Sequence, residues 1–323
     1  MGDSAAQLAY ECFVDKWLDN RDFVVVHTSG STGKPKLINL LKSDMRRSAR
    51  AFAEKFGLKP ESTLASALPI SSIATKMAIV RHLEAGCRYV SLPVSNEFEI
   101  PCFVDVLSIG PSQACQFIRR PELRKQTGTL FIGGAPLLPE VLRSLTDAGY
   151  NVCLSYGMTE TCSNVALSYG TDGIYRANPG ISLATDSRGC LVINAPDYSF
   201  SGTVTNDVVE IIDSRTFRWL GRYDNVVNSG GIKLYPEEIE LMLTDYIASP
   251  FYITGRPHPL WGEALAVVVE GNDKDARAAA CALKRFPDGV RRPKSTVAVS
   301  RFQKTRTGKV IRILPETGNF FDV

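Results

Sequence analysis

The sequence predicts an α/β fold with a large N-terminal domain and a second, smaller C-terminal domain. Continuous apolar, β-branched runs alternate with helical patterns, and glycine-rich turns separate them. This alternation is typical of parallel sheets that are covered by helices on both faces. The length of 323 residues is sufficient for two domains. We expect the first domain over residues 1–222 and the second over residues 223–323.

The larger domain begins with a predicted strand at Phe23 to His27, where the unbroken run FVVVH indicates burial on both faces. A helix with an apolar stripe follows, and Gly57 and Pro60 mark its end. Further strands are predicted over residues 129–132, 152–155, 190–194, 208–212 and 217–220, and a further helix over residues 139–148.

The smaller domain repeats the α/β pattern after Gly221. Pro236 is a favourable first residue for a helix, and the predicted apolar face of that helix carries Ile239, Met242, Leu243 and Tyr246. A strand over residues 264–269, a helix over residues 275–285 and a strand over residues 296–299 complete the predicted domain.

Composition narrows the class of protein. The 37 Lys and Arg against 34 Asp and Glu give a net charge of only +3, which argues against a nucleic-acid-binding protein. No apolar run approaches the roughly 20 residues of a membrane-spanning helix, and the charged N-terminus lacks a signal-peptide core. The eight cysteines are scattered and only three histidines are present, so reduced thiols are expected rather than a zinc site. We expect a cytoplasmic location.

A loop rich in glycine, serine and threonine, TSGSTGKPK at residues 28–36, follows the first strand. Glycines let backbone N–H groups turn toward an anion, and hydroxyls and lysines add donors. The loop is not a Walker A motif, because Gly30 and Gly33 are too close and Pro35 stands where Ser or Thr would bind magnesium. Taken alone, the composition fits a phosphate-binding loop and a flexible surface turn equally well.

Further motifs follow in order: GGAPL at 133–137, YGMTET at 156–161, GRYD at 221–224, SGG at 229–231, PEEIE at 236–240 and KTRTGK at 304–309. With the glycine loop, they resemble the signature motifs of the adenylate-forming superfamily of acyl-CoA synthetases, luciferases and peptide-synthetase adenylation domains. The resemblance extends from about Phe23 to Arg312. It implies a mobile C-terminal domain and a reaction in which ATP converts a carboxylic acid to an acyl-adenylate, from which coenzyme A takes the acyl group.

The resemblance also implies the nucleotide site. The glycine loop would hold the β- and γ-phosphates, Tyr156 would stack on adenine, and Thr159 would bond the α-phosphate. Glu160 would ligate Mg²⁺, which prefers hard oxygen donors. The implied ATP-binding residues are Thr28, Ser29, Gly30, Ser31, Thr32, Gly33, Lys34, Lys36, Gly134, Ala135, Pro136, Tyr156, Gly157, Met158, Thr159, Asp207 and Arg222. Without the resemblance, Tyr156 fits core packing and Glu160 a solvated loop acid.

Asp207 and Arg222 would hold the ribose, since a carboxylate can accept hydrogen bonds from two hydroxyls. Lys309 would be the catalytic lysine, because an ammonium stabilises the charge that develops as pyrophosphate leaves; by itself, a lysine near a C-terminus is usually solvated. Asp224 would be the hinge between domains. The implied coenzyme A contacts are Ser229, Gly230, Gly231 and Lys233.

The sequence departs from the family pattern at several positions. Leu37, Asn206 and Gln303 replace a usual glycine, glycine and proline, and Ser72 replaces a usual histidine. Only 27 residues precede the glycine loop, whereas family members have many more. We therefore expect a compact version with a truncated first subdomain.

The acid is suggested by a narrower resemblance, to the short o-succinylbenzoate–CoA ligases of menaquinone synthesis. Lys76 and Arg81 lie in an otherwise apolar segment that includes Ser72, near the expected acyl pocket, where a cation would suit a second carboxylate. A helix places Lys76 and Arg81 roughly 140° apart around its axis, and Arg81 is favoured because its guanidinium matches a carboxylate. Equally, both could face solvent or pair with Glu84.

Three other functions stay open from the sequence. The chain could be an acyl-CoA ligase for another aryl or short-chain acid, an adenylation domain that loads a carrier protein, or a degenerate nucleotide-binding module. The presence of Glu160, Asp207, Arg222 and Lys309 disfavours the degenerate module. The oligomeric state is not determined by the sequence, and a homodimer is one option.

Overall fold

The computed structural model describes residues 4–27, 36–287, 289–304 and 310–323. The helices in these ranges are α1 (Ser4–Leu18), α2 (Lys42–Phe56), α3 (Ile73–Ala85), α4 (Pro111–Arg119), α5 (Pro139–Asp147), α6 (Pro236–Leu243) and α7 (Asp273–Leu283). Short 3₁₀ turns occur at Pro121–Gln126, Thr159–Thr161 and Tyr223–Asn225. None of the helices described combines the length and apolar character needed to span a membrane.

The strands are β1 (Phe23–His27), β2 (Leu37–Leu41), β3 (Thr63–Ser66), β4 (Arg88–Ser91), β5 (Val104–Ile109), β6 (Thr127–Gly133), β7 (Asn151–Met158), β8 (Ser163–Ser168), β9 (Ile174–Ala177), β10 (Ser182–Thr185), β11 (Cys190–Asn194), β12 (Thr203–Asp213), β13 (Thr216–Arg222), β14 (Val227–Ser229), β15 (Ile232–Leu234), β16 (Phe251–His258), β17 (Gly262–Glu270), β18 (Ser295–Val299) and β19 (Phe321–Asp322).

These strands form an eleven-stranded sheet, a six-stranded sheet and a two-stranded ribbon. The order of the largest sheet is β10-β11-β12-β13-β9-β8-β7-β6-β5-β3-β4, and that of the second is β15-β14-β17-β18-β19, with β16 also paired to β17. Within the largest sheet, β4, β3, β5, β6 and β7 run parallel to one another. The predicted α/β class is confirmed.

Strand β6 of the parallel region is buried on both faces, and its successive side chains point to opposite sides of the sheet. On β6, Leu130 and Ile132 pack in one cluster with Leu145 of α5. Phe131, between them, packs in another cluster with Phe52 of α2. The α2 stripe predicted from the sequence is also present, with Met45, Ala49 and Phe52 buried and Gly57 ending the helix at φ 60°.

The prediction that the first strand is buried on both faces is wrong. β1 pairs only with β2 in the part of the chain described, and its side chains alternate between buried and exposed positions. Val24 and Val26 are buried, whereas Val25 is 41% exposed. The ribbon has one covered face, so an apolar run here does not signify a central strand.

Internal contacts divide the chain into two compact units. The first comprises Met1–Ala184, Ile193–Thr203 and Ile212–Phe217, and the second Thr185–Val192, Val204–Ile211 and Arg218–Val323. This division passes through β11, β12 and β13, so part of the segment predicted for the first domain belongs to the second unit. A domain boundary at residues 222–223 stays a prediction.

The second unit has its own core of α6, α7 and strands of the six-stranded sheet. Ile239 and Leu243 of α6 pack with Val267 of β17 and Leu283 of α7. Met242, predicted on the same helix face, is instead 39% exposed. The reason is that Met242 lies about 100° from Leu243 around the helix axis, at the edge of the face that Ile239 and Leu243 bury.

Candidate active site

The first group of predicted site residues lies at the carboxyl ends of β6 and β7. These strands are parallel neighbours, and Gly133 pairs with Ser155. The loop of Gly134, Ala135 and Pro136 therefore emerges beside the segment that begins at Tyr156, and all three loop residues are exposed. Ligands of open α/β sheets bind outside the carboxyl ends of parallel strands, so this edge is suitable for the predicted nucleotide.

A tight turn between β7 and β8 carries Thr159 and Glu160. Gly157 allows the two strands to approach, because a Cβ atom there would lie 1.8 Å from the carbonyl oxygen of Ser163. Cys162 and Ser163 have φ values of 54° and 79°, and they are the non-glycine residues with positive φ among those described. Backbone strain of this kind is frequent at functional sites.

Glu160 is exposed at this turn, and its carboxylate forms no hydrogen bond or ion pair with a described residue. Mg²⁺ is commonly held by one or two carboxylates together with substrate phosphates. The described residues contain no group of three or more His, Cys, Asp or Glu that could hold a metal ion by themselves. Glu160 thus fits a Mg²⁺ ion that arrives with a nucleotide.

The Tyr156 ring is half-buried and contacts two other aromatic rings within the first unit. Its centroid lies 5.9 Å from that of Tyr175 and 5.1 Å from that of Phe217, both with edge-to-face geometry. These contacts fix the ring orientation and leave part of its surface accessible. Stacking of adenine on Tyr156 stays a prediction.

The second unit brings Asp207 and Arg222 together, as the predicted ribose site requires. Asp207 on β12 is 7% exposed, and its Oδ1 lies 3.5 Å from Nη1 of Arg222 at the end of β13. Nε1 of Trp219 donates to the same oxygen at 3.3 Å. Trp219 is a site residue that the sequence analysis missed.

The predicted hinge residue, Asp224, lies in the 3₁₀ turn Tyr223–Asn225. Its carboxylate accepts hydrogen bonds from Asn206 Nδ2 and Arg222 Nη2, both at 3.3 Å. The side-chain oxygen of Asn206, Oδ1, in turn accepts a hydrogen bond from Nη1 of Arg188 at 3.1 Å. Neighbours within the second unit therefore hold the side chain of Asp224.

The predicted coenzyme A residues form a β-hairpin. Gly230 and Gly231 connect β14 to β15 with φ values of 60° and 84°, the pattern of a tight two-residue turn. Ser229 is buried and Lys233 is exposed. Trp261, which the sequence analysis also missed, accepts a hydrogen bond from the Gly230 N–H at 2.9 Å through its carbonyl oxygen.

Arg81, predicted to bind the acyl substrate, is enclosed in the first unit with 1% exposure. Its Nη2 donates to Asn164 Oδ1 at 2.6 Å, and its guanidinium carbon lies 3.8 Å from the centroid of the Phe52 ring. Burial lowers the pKa of Arg81. The alternative that Arg81 faces solvent or pairs with Glu84 is wrong, because Glu84 instead pairs with other arginines.

Lys76 is half-buried near the beginning of α3. Its Nζ donates to the carbonyl oxygens of Ile70 at 2.6 Å and Ser71 at 2.9 Å. Desolvation, with a smaller contribution from Lys16, lowers the pKa of Lys76 to about 8. Ser72 is the N-cap of α3, and its Oγ accepts a hydrogen bond from the Thr75 N–H at 3.2 Å. Lys76 also does not pair with Glu84.

Several predicted residues lie outside the described ranges. These are the glycine-loop residues Thr28, Ser29, Gly30, Ser31, Thr32, Gly33 and Lys34, and the predicted catalytic lysine Lys309. Lys36 is described and is exposed immediately before β2. The roles predicted for all of these residues stay predictions.

Comparison with known proteins gives the family. A family model described as AMP-binding enzyme matches residues 6–190, more than half of the chain. The chain belongs to the AMP-binding enzyme family. In this AMP-binding enzyme, the matched region contains the β6–β7 edge and the turn that carries Glu160.

The AMP-binding enzyme is also similar to individual proteins. It is 23% identical to the 2-succinylbenzoate–CoA ligase of Enterococcus faecalis, and the alignment covers 89% of this chain and 68% of the relative. A structure of o-succinylbenzoate CoA synthetase from Bacillus subtilis, in complex with the acyl-adenylate intermediate, matches with TM-score 0.77 and 20% identity, covering 88% of this chain and 67% of that one. The Bacillus protein has also been solved with ATP and magnesium ion.

A shorter solved relative is similar over nearly its whole length. This acyl-CoA synthetase (AMP-forming)/AMP-acid ligase II-like protein from Dyadobacter fermentans has TM-score 0.62 and 28% identity, covering 94% of this chain and 92% of that chain. The AMP-binding enzyme thus spans about two thirds of the ligases from Enterococcus and Bacillus and almost all of the Dyadobacter protein.

Proposed function

We propose that this AMP-binding enzyme is an ATP-dependent acid–CoA ligase. It forms an acyl-adenylate from ATP and a carboxylic acid, and then an acyl thioester with coenzyme A. The observation that carries the proposal is the turn at the carboxyl edge of the sheet, where Gly157 allows Thr159 and Glu160 to be presented. Glu160 is exposed there and has no partner among the described residues. The names of the relatives support the same reaction.

In the first step, an oxygen of the acid attacks the α-phosphorus and pyrophosphate leaves. Thr159 would bond the α-phosphate, Glu160 would ligate Mg²⁺, and the Asp207–Arg222 pair would bind the ribose. Mg²⁺ held there would neutralise charge on the phosphates. Lys309 stabilises the charge that grows on the leaving oxygens. In the second step, the coenzyme A thiolate attacks the acyl carbon and AMP leaves, with the Ser229–Lys233 hairpin facing coenzyme A.

We propose o-succinylbenzoate as the acid, in agreement with the names of the Enterococcus and Bacillus relatives. Its second carboxylate needs a cation near the acyl pocket. Lys76 suits this role, because Nζ uses two of its three donors on backbone carbonyls and is half-buried. Arg81 is engaged with Asn164 and enclosed by aromatic rings, so we assign the carboxylate to Lys76 ahead of Arg81.

We place the enzyme in the cytoplasm, where ATP and coenzyme A are available. All eight cysteines lie in the described part of the chain and are free. Free thiols are typical of a reducing compartment.

The test is ATP–pyrophosphate exchange with o-succinylbenzoate and with a mono-acid of similar size, followed by a thioester assay with coenzyme A. We expect both half-reactions, with a higher kcat/KM for the diacid. Lys309→Ala should lower exchange about 10²–10³-fold, whereas pre-made acyl-adenylate should still react with coenzyme A.

The alternatives give different results in the same assays. Equal or better activity on a mono-acid indicates another acyl-CoA ligase. Exchange without a coenzyme A thioester indicates an adenylation domain that loads a carrier protein. Nucleotide binding without exchange, across a panel of acids, indicates a non-catalytic module.

A further inference from the structure

We propose that Thr161 is a positioning residue whose hydroxyl holds the turn between β7 and β8 in the shape that presents Thr159 and Glu160. The inference rests on the proposed function, because it assigns Thr161 to the site at which Mg²⁺ and the nucleotide phosphates bind. Thr161 itself touches neither, since its side chain is 1% exposed and lies beneath the turn.

The Thr161 hydroxyl joins the two sides of the turn. Its Oγ1 accepts a hydrogen bond from the Met158 N–H at 3.1 Å, on the β7 side. The same oxygen lies 3.0 Å from the carbonyl oxygen of Ser163, on the β8 side, and 3.2 Å from the carbonyl oxygen of Met158. We assign its single proton to Ser163, the nearer of the two acceptors. Thr159 and Glu160 lie between these two attachments. A single hydroxyl, used as acceptor and donor, therefore closes the loop that carries them.

The backbone of the turn needs this support. Cys162 and Ser163 hold positive φ values of 54° and 79°, a conformation that non-glycine residues adopt at a cost of order 1–3 kcal/mol each. Such a conformation persists only when surrounding contacts specify it. The Ser163 carbonyl that receives the Thr161 hydroxyl is also the atom that approaches Gly157. Loss of the hydroxyl should let this strained segment relax.

Contacts farther out fix the same turn. Ser48 of α2 donates to the carbonyl oxygen of Cys162 at 3.4 Å. Arg81 of α3 donates to Asn164, the residue that follows Ser163. The turn and the strand that follows it are thus attached to α2 and α3, and Thr161 supplies the contact within the turn itself.

The test compares Thr161→Val, which has nearly the same shape without the hydroxyl, with Thr161→Ser, which keeps it. Groups that orient metal ligands typically contribute 10–100-fold to metal affinity. We therefore expect Thr161→Val to weaken Mg²⁺ binding at least about tenfold. The measurement is calorimetric titration of Mg²⁺ into the full chain saturated with a non-hydrolysable ATP analogue. Thr161→Ser should stay within about threefold of the wild type.

Wild-type affinity in Thr161→Val, or equal losses in Thr161→Val and Thr161→Ser, overturns the proposal, because the hydroxyl would then not be responsible. If Thr161→Val does not fold, Thr161→Ala replaces it, because it also lacks the hydroxyl, and the same loss of at least about tenfold is expected; wild-type affinity in Thr161→Ala overturns the proposal in that case. The readout is binding, so an enzyme without adenylation activity would contradict the proposed function and leave this test intact.

Discussion

Several of the charged side chains predicted to bind substrates already contact other protein atoms. Asp207 contacts Arg222 and Trp219, Lys76 contacts two backbone carbonyls, and Arg81 contacts Asn164. A ligand must therefore add to these contacts or exchange with them. Because the existing contacts also stabilise the fold, tests of these residues need a measure of stability beside a measure of activity.

For the ribose site, Asp207→Asn removes the negative charge beside Arg222 and keeps an oxygen that Trp219 can reach. Charge-assisted hydrogen bonds contribute about 1.5–3 kcal/mol, so we expect the KM for ATP to rise about 10- to 100-fold with a smaller change in kcat. Glu210→Gln is the matched control, since Glu210 lies on the same strand, is exposed and pairs with Arg218. A similar rise in both variants would contradict the ribose assignment.

Lys76 should make binding of the diacid dependent on pH. Its lowered pKa of about 8 means that the ammonium is mostly charged at pH 7 and is lost as the pH rises through that value. We expect the KM for o-succinylbenzoate to rise by about tenfold per pH unit above 8, relative to a mono-acid assayed in parallel. Lys76→Met should abolish this difference. If the ratio of the two KM values in the wild type did not change with pH, Lys76 would not bind the second carboxylate.

Arg81→Met gives a contrasting expectation. Because Arg81 is enclosed and attached to Asn164 beside the β7–β8 turn, we expect a lower melting temperature and a loss of kcat/KM for diacid and mono-acid alike. Kinetics with both acids and thermal unfolding measure this. If kcat/KM fell only for the diacid and the melting temperature were unchanged, Arg81 would instead be the residue that binds the second carboxylate.

At the scale of elements, patterns in the sequence located the strands β6 and β7 and the helices α2 and α5 of the parallel region. The apolar stripe of α2 and the strand at Cys190–Asn194 were predicted correctly. The register of the predicted hairpin around residues 213–216 could also have placed Asp207 opposite Arg222. Sequence patterns did not predict α1, β3, β4 and β5, which lack sharp helix-start or turn signals, and did not predict α4.

The remaining differences arise from tertiary context. Whether the apolar run of β1 is covered on one face or two depends on what packs against it, which local sequence does not encode. Hydrophobic periodicity also does not predict the ion pair between Glu240 in α6 and Arg312, which lies 72 positions later in the chain. Trp219 and Trp261 were not predicted as site residues for a related reason. An aromatic residue type alone does not distinguish a residue of the hydrophobic core from one beside a binding site.

The pairing of Glu240 and Arg312 fastens the segment after residue 309 to α6. Nη2 of Arg312 donates to Glu240 Oε2 at 2.6 Å, and Nη1 contacts the other carboxylate oxygen. Removal of one partner of such a pair costs about 3 kcal/mol or more when the other charge stays buried. We expect Arg312→Met to destabilise the second unit by about this amount in denaturant unfolding.

Arg291→Met is the control for this prediction. The Arg291 side chain is 55% exposed and its Nη1 lies 3.9 Å from Glu238 Oε1, an arrangement worth about 1 kcal/mol or less. Comparable stability of the two variants would show that the Arg312 contact does not anchor the segment.

At the scale of the whole molecule, the proposed two-step reaction requires residues of the second unit to serve successive steps. We predict that Asp224→Pro, which fixes φ near −65°, keeps ATP–pyrophosphate exchange and reduces thioester formation by at least about tenfold. Restricted rotation about residue 224 would impair the second step alone. Single-turnover assays of each half-reaction provide the measurement.

Asp224→Ala separates the backbone effect from loss of the contacts to Asn206 and Arg222. It should retain both half-reactions to a greater extent than Asp224→Pro. If the two variants behave alike, the side-chain contacts of Asp224 matter and the backbone at this position is not the hinge.

The β1–β2 ribbon has a consequence for handling the protein. Its outward face carries Val25, Leu37 and Leu41, each more than a third exposed, and in the described ranges neither strand pairs with a third. The stretches FVVVH and LINLL contain no proline, acidic residue or lysine. Open strand edges of this kind promote strand addition between molecules and aggregation, because they lack the charges that normally oppose it. Concentrated preparations should therefore aggregate first through this ribbon, and a lysine at position 25 or 39 is the substitution to improve their shelf life.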